Sequence, residues 1–422
     1  MTSVESTLLF VFQRGIISQT INKSPECDRT TWEALLQLAL ENEVLPLVYD
    51  TASSFVTFHS LHFESRKEFR DLAIGQSIRQ IIQTNEFLTL LLHAQSQGLD
   101  PVVLKGISVR SLYPKPYLRP SVDEDILVPR DQARAFYDFL LSEGLTADDP
   151  DLDPKTAHEI SFHRPESPTY IEMHLELFDH ESAAYGDMNE LFRGIWDRTV
   201  RQQIEDVSVR TLHPTDHLLY LLGHAYKHFL HSGIGIRQVA DIGVFSKAHA
   251  EEIDWAYIEA SCRKAGVEKF AAAIFQIIQK HLIPELKLQN NQSENQAINK
   301  PAFSSIRIDE EPLLEDILSG GIYGLSDPDR VHSVNITLNE AEAAKTGKKR
   351  AHGVMRSLFP GAKYLQKCFP YAKAHPILTP VAWAHRIVNY VKRTPGVVRR
   401  SLGTVREGKK RSELMKKYGI GG

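Results

Sequence analysis

Three acidic residues stand where the chain enters an apolar segment: Asp123, Glu124 and Asp125 directly precede Ile126-Leu127-Val128. In a β-strand, residues two apart project from the same face, so Asp123 and Asp125 point together and Glu124 points away. Adjacent carboxylates repel each other, and a divalent cation such as Mg²⁺ or Mn²⁺ removes that repulsion. The segment predicts either a metal-binding strand or, less specifically, a solvated acidic turn. On the first interpretation, Glu124 needs its own partner or exposure to solvent.

The segments around this strand alternate between strand and helix signals. The apolar "VVL" leads to Gly106, "ISVRSLY" fits a short helix, and "DQARAFYDFLLSEG" fits a helix with Asp131 as its N-cap and Gly144 as its end. "HEISFHRPESPTYIEMHLELF" is typical of a hairpin. This order predicts an α+β fold, a small mixed β-sheet core flanked by N- and C-terminal helical regions. The predicted regions are 1–95 (helical), 96–200 (α/β core), 201–286 (helical), 287–345 (polar and linker-rich) and 346–422 (basic).

A third carboxylate is expected from a neighbouring strand, because two carboxylates rarely complete a metal site. Glu172 is the best candidate. Ile171 and Met173 lie on the apolar face of an alternating strand, whereas Glu172 and His174 share the polar face. Such carboxylates hold the paired metal ions of phosphoryl-transfer sites. His174 is a candidate for contact with substrate. The alternatives are an exposed strand residue for Glu172 and a hydrogen-bonded sheet histidine for His174.

A phosphate-binding turn is expected where the first strand ends. Gly106 lets backbone N–H groups approach an anion, and the helix that starts there favours negative charge. Lys105 or Ser108 would add a direct contact. Arg119 either contacts phosphate or pairs with Asp123. A Lys-Gly pair alone is a weak signal, and it becomes more specific when D-x-D follows on the next strand.

Four histidines lie near one face of a predicted helix, His217, His224, His228 and His231. A zinc site would need three or four converging ligands. The alternative is a set of polar contacts that line a cleft, with His224 and His228 as the residues predicted to meet substrate. Further along, Arg237 and Asp241 are four residues apart and are predicted to form an ion pair on one helix.

The charge of the chain is distributed unevenly. There are 49 Lys and Arg against 53 Asp and Glu. Residues 343–422 carry 19 basic and two acidic residues, a net charge of +17, which leaves −21 for residues 1–342. We expect this tail to contact anionic lipid, a polyanion such as nucleic acid, or the acidic body of the same chain. Sequence-specific nucleic-acid binding is not predicted, since no recognition module is visible. The tail also contains an apolar helical face formed by Val381, Trp383, Ile387, Val388 and Val391.

The sequence favours a cytoplasmic location. No segment resembles a secretory signal, and no apolar run reaches the roughly 20 residues that span a bilayer. The three cysteines are odd in number and far apart, which argues against a disulfide framework and for a reducing compartment. The basic tail leaves peripheral attachment to a membrane open.

The Gly106 turn, the D-x-D of Asp123 and Asp125, and the later Glu172 resemble the polymerase-β-type nucleotidyltransferase superfamily. "VLKG", "LRPSVDEDILV", "IEMH" and "HLLYLLGHAYKH" are similar to one branch of it, the uncharacterised nucleotidyltransferase family. "VLPLVYD" before these motifs and "LFP…FPYAKAHPILTPVAWAHRI" after them are similar too, so the resemblance extends over most of the chain. Members are often bacterial and often associated with capsule or exopolysaccharide gene clusters.

The resemblance implies an enzyme dependent on Mg²⁺ or Mn²⁺ that moves a nucleoside monophosphate from an NTP to a hydroxyl or phosphate of an unidentified acceptor, in the setting of polysaccharide biosynthesis. It implies three catalytic, metal-binding carboxylates, Asp123, Asp125 and Glu172, and a triphosphate grip of Lys105, Gly106 and Ser108. Ile107 and Glu124 depart from the family pattern, which has a small residue after the glycine and an apolar one between the aspartates. The alternatives are a non-catalytic nucleotide-binding relative and a membrane-peripheral scaffold of a polysaccharide-assembly system.

Overall fold

The structure of the 422-residue chain is a computed structural model. It describes residues 1–17, 24–231, 233–289, 301–321, 330, 334–346, 365, 369, 371–372, 375–393 and 397–420. Its α-helices are α1 (Ser3–Ile17), α2 (Arg29–Glu41), α3 (Leu45–Ala52), α4 (Phe63–Ser96), α5 (Ile107–Arg110), α6 (Ala133–Ser142), α7 (Pro214–His231), α8 (Ile236–Ala248), α9 (Trp255–Lys264), α10 (Glu268–Ile277), α11 (Glu311–Gly320), α12 (Val334–Thr346), α13 (Thr379–Arg393) and α14 (Val397–Lys417). Short 3₁₀ segments cover Val56–Ser60, Pro116–Leu118, Gly186–Phe192, Ile195–Arg198 and Pro376–Leu378, and a π turn, Ile278–Leu282, follows α10.

One seven-stranded mixed sheet lies among these helices, as the α+β prediction requires. Its strands are β1 (Val102–Val103), β2 (Glu124–Leu127), β3 (Thr146–Ala147), β4 (Glu159–His163), β5 (Tyr170–His174), β6 (Thr199–Ile204) and β7 (Val207–Leu212). Their order across the sheet is β3-β4-β5-β2-β1-β7-β6. The pairs β2–β5 and β1–β7 are parallel, and the other neighbours are antiparallel.

The two faces of the sheet belong to different hydrophobic cores. Ile126, Ile171 and Met173 pack in one core with residues from the second half of α4 and from α6. Leu127, one residue along β2, packs in the larger core that contains residues of α7 and α8. Because strand residues alternate between faces, Asp125 shares the α7–α8 side of the sheet with Leu127. Burial of both faces therefore places polar strand residues between the sheet and the helices that follow it.

The sheet extends beyond the strands that the sequence predicted. Helices were expected to return near residue 200, and instead β6 and β7 form a hairpin that pairs Ile204 with Val207. Val207 and Val209 are buried and Ser208 between them is exposed, so the period-two pattern of a strand was present there. The prediction of helix for this stretch was wrong. The other boundaries between regions stay predictions.

Residues 1–95, predicted to be a helical region, contain α1 to α3 and most of α4. The Asp131 cap is wrong: α6 begins after Gln132, and no side chain caps it. The linker-rich region also contains α11, whose Leu313 and Ile317 are fully buried in the larger core. Most of the polar stretch at 287–300 lies outside the described residues.

The end of the basic region packs on the body of the chain. Arg411 of α14 is 1% exposed and donates hydrogen bonds to the backbone carbonyls of Phe229 and His231, at the end of α7. Met415 and Tyr418 are fully buried in the larger core. The apolar face predicted in α13 is only partly described, since the side chains of Ile387, Val388 and Val391 lie outside the described residues. What that face contacts stays a prediction.

Within the described ranges, no helix is both long enough and apolar enough to cross a bilayer. Cys262 is buried and Cys27 is partly exposed, and both are free thiols.

Candidate active site

Two parallel strands bring the predicted carboxylates together. β2 and β5 are neighbours, and their register sets Asp125 directly beside Glu172 and Leu127 beside His174. Asp123 immediately precedes β2. Asp125 is completely buried, whereas the side chain of Glu172 is 25% exposed. The cluster therefore has a buried floor, Asp125, and a partly exposed carboxylate beside it, Glu172.

His174 lies among three carboxylates. Its Nε2 is 2.9 Å from Oδ1 of Asp125 and 3.7 Å from Oε2 of Glu172, and its Nδ1 is 3.3 Å from Oε2 of Glu159. Burial disfavours the charged ring, but the hydrogen bond with Asp125 and the nearby carboxylates of Glu172 and Glu159 outweigh it and raise the pKa of His174 to about 9. The alternative of a hydrogen-bonded sheet histidine thus describes part of its surroundings, and its position beside Asp125 makes it a candidate ligand as well.

Lys105 bridges the two aspartates. Its Nζ lies 3.0 Å from Oδ2 of Asp123 and 3.0 Å from Oδ2 of Asp125. Burial favours the neutral form of Asp123, yet the Lys105 ammonium holds the pKa of that carboxyl well below its usual range. For Asp125 burial dominates, and the negative charges of Asp123 and Glu172 act in the same direction, so its pKa is raised to about 7. Lys105 thus lowers the pKa of both carboxyls, but it outweighs burial only at Asp123.

The donor set fits a divalent cation. One ligand atom each from Asp125, Glu172 and His174 lies within 4.8 Å of the others. Carboxylate oxygens are ligands that Mg²⁺ and Mn²⁺ accept, and an imidazole nitrogen can join them once it has lost its proton. Asp123 is joined to this set through Lys105. The pKa of Glu172 is lowered because its interaction with His174 and the nearby Lys105 charge outweigh burial, so Glu172 is ionised at neutral pH. The three residues would hold the ion through carboxylate oxygens of Asp125 and Glu172 and a ring nitrogen of His174.

The side chain of Glu124 contacts the turn at Gly106 and is not part of the carboxylate cluster. Its side chain is fully buried, receives a hydrogen bond from the backbone N–H of Ile107 at 2.7 Å, and pairs with the buried Arg110 at 2.6 Å. Gly106 has φ +68°, and a Cβ atom there would overlap Oε2 of Glu124. Glu124 thus has the partner that the strand interpretation required. The glycine is needed for this contact whatever its role toward phosphate.

Ser108 and Arg119, two residues predicted to contact phosphate, make hydrogen bonds within the chain. Ser108 is fully buried, and its Oγ donates to the carbonyl of Lys105 at 3.4 Å. It is absent from the residues that line the cavity described below. Arg119 does not pair with Asp123: its Nε and Nη2 donate to Asp241, with an Nε–Oδ1 distance of 3.1 Å. Both sides of that pair are buried, which local sequence patterns do not reveal.

The predicted ion pair between Arg237 and Asp241 is also wrong. Arg237 pairs instead with Glu43, at 3.0 Å, and donates to the carbonyl of Pro120. Asp241 receives the hydroxyl of Tyr113 at 2.8 Å in addition to Arg119. Arg237 and Asp241 therefore each join α8 to a separate region of the chain.

The histidines of α7 divide into separate environments. Nε2 of His224 is 3.1 Å from Nε2 of His228, and burial followed by the Lys105 charge lowers the pKa of both. His217 packs against Phe245 with ring centroids 4.5 Å apart and ring planes tilted by 48°. The cation-ligand groupings found within the described ranges contain none of these residues, so they support no zinc site there. His224 reaches the cavity beside Asp123, which leaves its predicted contact with substrate open.

A cavity of about 30 Å³ lies between the glycine turn, Asp123 and helices α7 and α8. Its lining includes Lys105, Gly106, Arg119, Ser121, Asp123, His224, Arg237, Gln238 and Asp241. Arg237 and Gln238 were not predicted as site residues. They lie more than 100 positions after Asp123, and the only sequence signal was that α8 begins directly after a glycine-containing loop.

The family model described as "Uncharacterised nucleotidyltransferase" matches residues 28–282, more than half of the chain. The chain belongs to that family. The match contains all the predicted site residues, from Lys105 to His228, and ends at the π turn after α10. The similarity noted in the basic region lies beyond it. No curated protein and no solved structure matches the chain at a significant level.

Membership in this family supports a nucleotidyl-transfer activity and, with it, an NTP as substrate. The acidic and histidine cluster could hold a metal ion.

Proposed function

We propose that this protein transfers a nucleoside monophosphate from an NTP to a hydroxyl or phosphate oxygen of an acceptor, with Mg²⁺ or Mn²⁺. The observation that carries the proposal is the register of β2 and β5, which sets Asp125 beside Glu172 on the same edge that Asp123 and Lys105 occupy. Such a cluster serves phosphoryl chemistry because its charges can be balanced by a cation that also contacts phosphate.

Each residue has a distinct part in this proposal. Asp123, Asp125 and Glu172 would hold the cation, which would neutralise charge on the triphosphate. The acceptor oxygen forms a bond to the α-phosphorus while the bond from that phosphorus to the bridging oxygen breaks, and pyrophosphate leaves. Glu172 is ionised and reachable from solvent, so it can take the proton of an acceptor hydroxyl. Lys105 and the Gly106 turn would position the phosphates.

Sugar hydroxyls and sugar phosphates are the acceptors to test first, because the resemblance is to proteins associated with polysaccharide gene clusters. The contacts of the described residues favour no particular base, so each of the four common NTPs is a candidate substrate.

The test compares two positions of the radioactive label. The purified protein is incubated with Mg²⁺, a lysate of the host or a panel of sugars and sugar phosphates, and each NTP labelled at the α- or the γ-phosphate. Nucleotidyl transfer moves the α-label to an acceptor and releases the γ-label as pyrophosphate, and chelation with EDTA stops it. Transfer of the γ-label would contradict the proposal. Binding of NTP with no transfer of either label would instead indicate the non-catalytic nucleotide-binding relative.

A further inference from the structure

The cavity beside Asp123 contains an excess of hydrogen-bond donors. Nη1 of Arg119, Nε of Arg237 and Nε2 of Gln238 are all buried, and none has an acceptor among the residues that the structure describes. All three side chains line the cavity. Arg119 is 7% exposed and Arg237 is 3% exposed. Buried donors without acceptors are rare in folded proteins, and three around one space indicate that a ligand rich in acceptor atoms completes them.

The acceptors that line the same cavity are already engaged. Asp241 receives two donors from Arg119 and the hydroxyl of Tyr113. Asp123 receives Lys105 at 3.0 Å. The other hydrogen bonds of the three donor side chains are also accounted for: Arg237 contacts Glu43 and the carbonyl of Pro120, and Oε1 of Gln238 accepts the backbone N–H of Gly235 at 2.6 Å. These hydrogen bonds hold each side chain in place, so the N–H groups without an acceptor are held in fixed positions as well.

We propose that Arg119, Arg237 and Gln238 form an oxyanion subsite that receives a phosphoryl group. Guanidinium N–H groups match the oxygen atoms of phosphate in geometry and charge. A space of about 30 Å³ suits one phosphoryl group or two to three waters, and it does not suit a nucleoside. The inference rests on the proposed function for the source of that group, and it adds α8 to the substrate-binding surface.

The position of the subsite favours the terminal phosphates of the NTP over a phosphorylated acceptor. Asp123 and Lys105 line the cavity and also belong to the carboxylate cluster, so the two sites are adjacent. A triphosphate whose α-phosphate lies at the cluster would place its terminal phosphates nearby. A phosphate group on the acceptor is the other source of the same chemistry, and the experiment separates the two.

The decisive variant is Gln238→Glu. It keeps the oxygen that accepts the N–H of Gly235 and replaces the unused amide donor by a second carboxylate oxygen. Gln203→Glu is the matched control, since it makes the same change in charge on the exposed β6–β7 hairpin. Arg237→Lys is a second variant, which retains the charge and removes the Nε–H. Thermal melting shows which variants remain folded.

Binding is measured calorimetrically in EDTA with pyrophosphate, inorganic phosphate, NTP and nucleoside monophosphate. We expect Gln238→Glu to bind pyrophosphate and NTP at least tenfold more weakly than the native chain, and to bind nucleoside monophosphate with unchanged affinity. Gln203→Glu should not show this loss of affinity. Equal pyrophosphate binding by Gln238→Glu and the native chain would overturn the proposal, as would waters alone on the three donors in crystals soaked with pyrophosphate. If Gln238→Glu bound phosphate and pyrophosphate more weakly but NTP with unchanged affinity, the subsite would be supported, and its phosphoryl group would come from the acceptor. Because no turnover is measured, these results are independent of whether nucleotide transfer occurs.

Discussion

Glu124 and Gly106 occupy adjoining space: Oε2 of Glu124 accepts the N–H of the residue after the glycine and stands where a Cβ at position 106 would lie. The acidic residue that interrupts the D-x-D pair is therefore a structural partner of the glycine turn. It joins the start of β2 to the start of α5, and its charge is balanced by Arg110 inside the core.

Gly106→Ala is expected to destabilise the protein by at least about 3 kcal/mol. The new methyl group displaces Glu124, leaves Arg110 without its buried partner, and strains a residue at positive φ. The free energy of unfolding from urea titration measures the effect. Gly75→Ala is the control: no heavy atom lies within 4 Å of a Cβ at position 75 of α4, so that variant should gain up to about 1 kcal/mol. Equal stability of the two variants would show that Glu124 does not hold the turn.

Lys105→Met is expected to bind Mn²⁺ at least tenfold more tightly than the native chain when no nucleotide is present. The ammonium group lies 3.0 Å from both aspartates and competes with a cation for them. The amplitude of the free Mn²⁺ signal in electron paramagnetic resonance gives the affinity. Lys115→Met removes an exposed lysine paired with Asp50 and should change nothing. Weaker binding by Lys105→Met would mean that Lys105 supports the cation site and does not compete for it.

His217 should make the protein sensitive to acid. Burial lowers the pKa of His217 to about 3, whereas the unfolded chain has an ordinary histidine pKa near 6.5. Protons therefore bind the unfolded state first, and the stability from this residue is complete above about pH 6.5 and is lost as the pH falls toward 3. Between pH 7 and pH 4.5 the native chain should lose about 2 kcal/mol more than His217→Phe. Parallel curves of unfolding free energy against pH for the two proteins would contradict the assignment.

Arg411→Ala is expected to loosen the basic C-terminal helix. Arg411 donates to the last carbonyls of α7, which have no partners within that helix, and the removal of a buried donor of this kind costs about 2 kcal/mol. Limited proteolysis should then cleave within 397–420 faster than in the native chain. Lys409→Ala, an exposed change on the same helix, serves as the control. An unchanged cleavage rate for Arg411→Ala would indicate that other contacts, such as those of Met415 and Tyr418, suffice.

The carboxylate cluster could be predicted from the sequence because it depends on local periodicity. The i, i+2 spacing of Asp123 and Asp125 and the alternation through Glu172 each fix a side-chain direction, and the parallel pairing of β2 with β5 brings them together. The β6–β7 hairpin shows the same period between Val207 and Val209, so the sequence itself contains a strand pattern at the point where a helix was predicted.

The cavity beside Asp123 could not be predicted in the same way. Its geometry depends on ion pairs between residues far apart in the chain, Arg119 with Asp241 and Arg237 with Glu43. No periodic pattern specifies which distant carboxylate a buried arginine will meet. The helical spacing of Arg237 and Asp241 favours a local ion pair. Such a pair contributes only a few tenths of a kcal/mol, which is too little to compete with better-placed buried partners.

The central claim is that Asp125 serves nucleotide transfer and not only the fold. Its most direct test is the rate of α-label transfer by Asp125→Asn compared with Asp138→Asn, an exposed change on α6. Asp138→Asn should transfer the label at the native rate. Asp125→Asn should keep a cooperative melting transition, but its rate of transfer should fall by more than about 100-fold. A folded Asp125→Asn protein that transfers the label at the native rate would contradict the account.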